Sequence, residues 1–276
     1  MKMEFVVFFK WIVSLGYLFS LILYVRFFIQ QSVKLNRLLS ASVQLILVCH
    51  FIYLFVLTLH TRHLPLSNVY EVMTSYVFIF TFIYFFIERK IRDFSLGPVI
   101  LVIAFILQLI SNLCINPEMG RAPVLAEISF FEVHVSAMLL AYSGFTISFI
   151  ASIMYVMLSR EIHNKKLGFF FSRLPSLELL DRLSNMAVIV GVSFITIGIF
   201  LGIDMASKVW GAKWPFDPKL ISVFVTWLIY LFFIYFRNSK GWQGKRAAIV
   251  SITGFVWVLI SFMVFTIFLS EIHSFI

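Results

Sequence analysis

The segment Val209-Trp210-Gly211-Ala212-Lys213-Trp214-Pro215-Phe216-Asp217-Pro218-Lys219 sets three large rings within seven residues, with a glycine between them and lysines around them. Stacked aromatic faces cover a flat apolar macrocycle, Gly211 lets backbone approach it closely, and Lys208, Lys213 and Lys219 can neutralise its carboxylates. His134 and His273 lie on either side of this loop in the chain. A neutral imidazole is the commonest protein ligand for transition metals, so two of them flanking an aromatic loop are candidate metal ligands as well as interfacial side chains. The combination fits a planar, apolar, dianionic ligand. A plainer reading covers each feature alone: Trp belongs to interfacial belts, single histidines sit at interfaces, and Asp217-Pro218 is an N-cap followed by proline at the first helical position.

These residues must be held by membrane helices. Of the 276 residues, 61% are hydrophobic and 13% charged, with a mean hydropathy of +1.00. A soluble domain has roughly 45–50% apolar and about 25% charged residues. Apolar runs long enough to cross a bilayer occur at about 5–25, 38–59, 70–87, 96–115, 134–158, 183–203, 220–236 and 248–269. The prediction is an all-α polytopic bundle of about eight transmembrane helices, a single integral membrane domain over 1–276 with the aromatic loop at about 205–219. The net charge of +9 is unevenly placed. Fifteen Lys and Arg fall in the connections after spans one, three, five and seven, and six on the other side. The positive-inside bias makes the richer face cytoplasmic and both termini extracytoplasmic, and the basic surplus reports topology, not nucleic-acid binding. Met1 to Glu4 and the run behind them lack a small-residue cleavage site, so the first span reads as permanent.

Other polar residues have two readings each. Asn68 with Glu71 three residues on is a reciprocal helix cap. His60 and His63, before Pro65, read as solvated interfacial histidines or as a pair touching one ligand. His50 within the second span is a hydrogen-bonded core residue or a ligand. Lys10 snorkels, and His163 is solvated in a basic loop. Ser176 caps a short amphipathic helix in the connection 159–182. Cys49 and Cys114 have neither a metal-ligand nor a redox-motif spacing.

The loop Trp210-Gly211-x-x-Trp214-x-Phe216-Asp217-Pro218-Lys219 resembles the tryptophan-rich WWD signature of a haem-handling family that includes the system II cytochrome c biogenesis protein CcsA, CcmC and the HemX-like proteins. Further segments look like CcsA segments in the same order. They include Leu64-Pro65-Leu66-Ser67-Asn68-Val69-Tyr70-Glu71, His134-Val135-Ser136, Thr226-Trp227-Leu228-Ile229-Tyr230, Gly241-Trp242-Gln243-Gly244-Lys245-Arg246 and the terminal His273-Ser274-Phe275.

The resemblance implies a protein that presents haem b on the extracytoplasmic face of a bacterial inner membrane or thylakoid-type membrane for covalent attachment to apocytochrome c. By that likeness His134 and His273 are the axial ligands of the haem iron, and Trp210, Gly211, Trp214, Phe216 and Asp217 cradle the ring. Lys208, Lys213 and Lys219 are then the contacts of the propionates. The implied partners are a ResB/CcsB-type membrane protein and the Cys-x-x-Cys-His segment of apocytochrome c. Whether the chain is itself an enzyme stays open between a part in a cytochrome c haem lyase complex, a HemX-like regulator of haem synthesis and an exporter of haem or another amphipathic anion. Two departures stand out: Phe216 replaces the last signature tryptophan, and Phe233-Ile234-Tyr235-Phe236-Arg237 lacks the histidine often found near the inner end of span seven. Tyr235 is the substitute inner haem contact or an interfacial anchor.

Overall fold

The computed structural model of the chain describes residues 3–31, 36–115, 130–165, 168–210 and 218–268. They form eight helices: α1 (Met3–Gln30), α2 (Asn36–Thr61), α3 (Val69–Ile91), α4 (Gly97–Cys114), α5 (Phe131–His163), α6 (Leu177–Trp210), α7 (Pro218–Lys240) and α8 (Lys245–Phe268). All eight are long and apolar enough to cross a membrane, and no strand occurs among the described residues. The chain is an integral membrane protein. Each apolar run predicted from sequence coincides with one helix. Six lie wholly within helices that extend past them, because helix continues through polar residues once it is capped, while α4 ends one residue inside the run 96–115 on either side and α8 starts three residues before the run 248–269 and ends at Phe268.

The caps are specific. At the start of α3 the Glu71 amide donates to Asn68 Oδ1 at 2.9 Å, and the Glu71 carboxylate accepts from the Ser67 amide at 2.9 Å, which closes both ends of the first turn. The helix stops at Arg92, whose left-handed backbone (φ 58) returns its amide to Glu88 O. Ser176 does not cap a separate surface helix. Its Oγ accepts from Leu179 N at 3.3 Å, and the helix so begun runs without a break from Leu177 to Trp210.

The helices divide into two compact units, Met1–Glu127 and Ile128–Ile276. In the first, α1 packs on α2 and α4, and α3 on α4 and α2. Its interior is rich in tyrosine, with Tyr17, Tyr24, Tyr53 and Tyr84 fully buried. In the second, α5 and α6 form the most extensive pair, with α8 on α5 and α7 against α6 and α8. Phe145 of α5 stacks on Tyr230 of α7 at 3.9 Å with nearly parallel planes. Ser148 bonds Ser184 and Ser251 at 2.9 and 2.7 Å, and Ser152 bonds Ser184 at 3.0 Å, so hydroxyls from α5, α6 and α8 satisfy one another. Large apolar side chains such as Phe51, Phe55 and Phe200 stand exposed on the helices. In lipid that is the expected outer surface, since acyl chains are as apolar as the side chains they touch.

Candidate functional site

His134 lies in the first turn of α5. The helix opens at Phe130, which has a left-handed backbone (φ 65) and whose carbonyl accepts the His134 amide at 2.9 Å. The imidazole is half-buried and sits against α6, with Nδ1 2.8 Å from the carbonyl oxygen of Gly198. A carbonyl only accepts, so Nδ1 carries the hydrogen. Nε2 is then the nitrogen with a lone pair. An imidazole oriented in this way through its first nitrogen is ready to ligate through the second.

Glycine makes this approach possible. A Cβ at Gly202 would stand 2.9 Å from His134 Cε1 and 3.4 Å from Nδ1. One turn earlier, a Cβ at Gly198 would collide with the Met138 sulfur. The pair Gly198 and Gly202, four residues apart, is a small-xxx-small seam that lets α5 and α6 close to the distance the His134–Gly198 bond requires. Neither glycine carries a chemical group, so a search for reactive side chains passes over both. Their spacing on one face of a predicted span was the available signal.

Beyond Gly202, α6 leads towards the aromatic loop. Lys208 donates to Asp204 at 2.7 Å, an exposed pair one turn apart. Trp210 is the last residue of α6. Lys219 stands exposed in the first turn of α7, near enough for its charge to act on His134. The helix ends on either side of the loop are thus brought to the His134 end of α5 and α6. Gly211, Lys213, Trp214, Phe216 and Asp217 lie outside the described residues, as does His273. Pro218 opens α7, as its place after an Asp predicted. Tyr235, near the opposite end of α7, is 58% exposed, with its ring edge-on to Phe236 at 5.3 Å.

At that opposite end Asp181 receives both guanidinium nitrogens of Arg237, at 3.0 and 2.6 Å, and the Gly244 amide at 2.9 Å. One carboxylate therefore ties the start of α6 to the end of α7 and the turn before α8. Gly244 has φ 64, and a Cβ there would lie 2.5 Å from the Tyr155 hydroxyl.

Two residues differ from what their sequence positions predict. His63 is buried, not solvated, with Nδ1 2.9 Å from Leu64 O, 3.2 Å from Ser67 Oγ and 3.8 Å from Glu71 Oε2. The cause is the Pro65 segment, which folds back and is pinned by a 2.7 Å bond from Ser75 Oγ to the Pro65 carbonyl. Lys10 donates to the Asn112 carbonyl at 2.8 Å, so its head is held within the first unit and does not simply reach for water. His50 is fully buried and hydrogen-bonded on both ring nitrogens, to Tyr17 and Thr74.

The sequence matches a family model described as cytochrome C assembly protein over residues 66–273. It is 29% identical over 262 residues to the cytochrome c biogenesis protein CcsA of Porphyra purpurea, covering 79% of this chain and 82% of that one. Against CcsA of Pyropia yezoensis the identity is 28%, with 87% and 88% covered. Against CcsA of Heterosigma akashiwo it is 30%, with 70% and 71% covered. With a match that takes in His134, the glycine seam and the aromatic loop together, the chain belongs to the cytochrome c assembly protein family.

Proposed function

We propose that this chain, whose role lies in cytochrome c biogenesis, binds haem b at the His134 end of α5 and α6 and presents it for covalent attachment to apocytochrome c. His134 Nε2 and His273 are the axial ligands. Trp210, Gly211, Trp214, Phe216 and Asp217 cradle the macrocycle, and Lys208, Lys213 and Lys219 meet the propionates. The observation that carries this reading is the 2.8 Å contact of His134 Nδ1 with Gly198 O, which fixes the tautomer and keeps Nε2 for iron.

The whole chain acts as one membrane domain, with both termini and the site on the extracytoplasmic face of a bacterial inner or thylakoid-type membrane. The basic connections face the cytoplasm or its equivalent, in keeping with the positive-inside bias. Haem is the cargo here, and it brings vinyl groups to which the apocytochrome thiols add, sulfur bonding one vinyl carbon and the thiol hydrogen going to the other. What the chain's residues supply is position. Imidazoles orient, rings exclude water, and lysines hold the acidic edge so that the vinyl edge faces the incoming Cys-x-x-Cys-His segment. The partner in this reading is a ResB/CcsB-type membrane protein.

Coexpression with such a partner and a reporter apocytochrome tests it. Covalent haem on the reporter, dependent on His134 and His273, supports the proposal. Haem accumulating outside without covalent product would select export instead, and a chain that never carries haem would select a regulator.

A further inference from the structure

The first unit contains a line of buried polar groups that haem presentation does not use. On α3, Glu71, Thr74, Thr81, Tyr84 and Glu88 are all buried and recur at helical spacing on one face. Glu71 and Glu88 are seventeen residues apart, roughly 25 Å at about 1.5 Å per residue, close to the roughly 30 Å hydrocarbon core of a bilayer. Ionisable groups inside a span are costly and tend to mark ion or proton paths.

At one end Glu88 accepts from Tyr84 at 2.6 Å, from Ser40 at 2.7 Å and from Tyr24. Further along, Tyr17 bonds His50 Nδ1 at 3.0 Å and His50 Nε2 bonds Thr74 Oγ1 at 3.0 Å. The Thr74 hydroxyl donates to Gln108 at 2.9 Å. The hydrogens therefore all run one way: Tyr17 donates to Nδ1, and Nε2–H donates to Thr74. At the far end stand Glu71 and His63, with the Tyr53 hydroxyl near enough to Glu71 for their charges to interact.

Buried polar atoms with no hydrogen-bond partner lie among these groups and at their ends. Among the described residues they are Ser20 Oγ, Thr81 Oγ1, Tyr53 OH, His63 Nε2 and Asn36 Oδ1, every one in the first unit. Ser20 falls between Tyr17 and Tyr24 on the same side of α1, and Thr81 lies beside Tyr17. Tyr53 stands one turn beyond His50, ring centroids 6.2 Å apart. Buried polar atoms obtain partners from ordered water when protein offers none. A polar network that merely fixes packing closes on itself, as the serines of the second unit do. This one is open at intervals, and the intervals lie in series between two carboxyl groups.

We propose that the α1–α4 unit conducts protons along this face of α3 between Glu88 and Glu71, with His50 as the relay and water completing the gaps at Ser20, Thr81 and Tyr53. A proton taken up at His50 Nδ1 is matched by release of the one on Nε2 to Thr74. Rotation of that hydroxyl away from Gln108 passes it towards Tyr53 and Glu71. For each proton entering at one carboxyl another leaves at the other, and no electron moves. The branch through Gln108 to Asn112 and Lys10 orients Thr74, since amides do not relay protons as hydroxyls do. This activity stands independently of the haem reading.

The test uses the purified full-length chain in phosphatidylcholine vesicles loaded with a pH-sensitive dye, with a potassium diffusion potential set by valinomycin. Wild type acidifies the lumen faster than protein-free vesicles, and Ser152→Ala in the second unit keeps that rate. His50→Leu and Glu88→Gln fall to the protein-free rate. Thr81→Val, which removes one hydroxyl at nearly constant shape, slows conduction while eluting as wild type on gel filtration. Wild-type vesicles no faster than empty ones would overturn the proposal, as would well-folded Thr81→Val and His50→Leu proteins conducting at the wild-type rate.

Discussion

The Nδ1 atom of His134 is bonded to a backbone carbonyl of the neighbouring helix, that of Gly198, and the ring lies over Gly202 one turn further on. Orientation of the histidine thus depends on the absence of side chains on α6 as much as on any partner. The imidazole proposed to ligate iron is held by a seam of glycines.

If His134 ligates haem as proposed, substitution at that seam is felt at the metal. Gly202→Ala places a methyl 2.9 Å from Cε1, an overpacking that costs about 1–3 kcal/mol and tilts the imidazole. The expected outcome is a protein that still inserts and purifies but retains less haem, with altered ligand-field bands in its optical and electron-paramagnetic spectra. Gly202→Leu should lose haem altogether.

The Asp181–Arg237 pair should govern stability of the second unit without touching the His134 end. Side-chain exposures of 17% and 12% leave it mostly desolvated, and losing one partner of a buried pair costs about 3–5 kcal/mol. With this residual access to solvent, Asp181→Ala is expected to cost about 2–3 kcal/mol, again scaled from the buried-pair value. Arg237→Lys, which keeps the charge but not the bidentate geometry, should cost less. Thermal unfolding in detergent checks both, and the spectrum of any haem retained should be unchanged.

Asn68→Ala removes the acceptor for the Glu71 amide at the start of α3. A lost N-cap costs about 1 kcal/mol. Hydrogen exchange should quicken at the first turn of α3 and stay as in wild type at its centre, around Val77.

The eight spans were legible because a run of about 20 apolar residues matches the thickness of a bilayer and exceeds what an ordinary core helix needs, and all eight appear. Their ends were less so. The apolar run of the sixth span begins near residue 183, whereas α6 begins at Leu177, since Glu178, Asp181 and Arg182 are polar but fully helical behind the Ser176 cap. Asp181 fell in the connection 159–182 for the same reason, and its partner Arg237 lies fifty-six residues away, beyond any local pattern. His134 stood out as a candidate ligand by its place beside the loop. Its orientation was not legible, because the acceptor is a main-chain oxygen of another helix. The burial of His63 was hidden because it depends on how the Pro65 segment folds back, which periodicity does not encode.

Phe145 and Tyr230, stacked at 3.9 Å, join α5 to α7 behind the site. Phe145→Ala is expected to lower the thermal stability of the protein. A Phe→Ala change in a core costs about 3–5 kcal/mol, and less in a bilayer, where part of that value, the transfer from water, does not apply. Phe145→Leu should recover most of the loss.

The central claim is tested most directly by the optical spectrum of haem copurified with the full-length protein, compared between wild type and His134→Ala. A low-spin bis-imidazole spectrum in wild type, converted by His134→Ala to a form missing one axial ligand and restored by added imidazole, is the predicted result. An identical spectrum and haem content in the folded His134→Ala protein would contradict it.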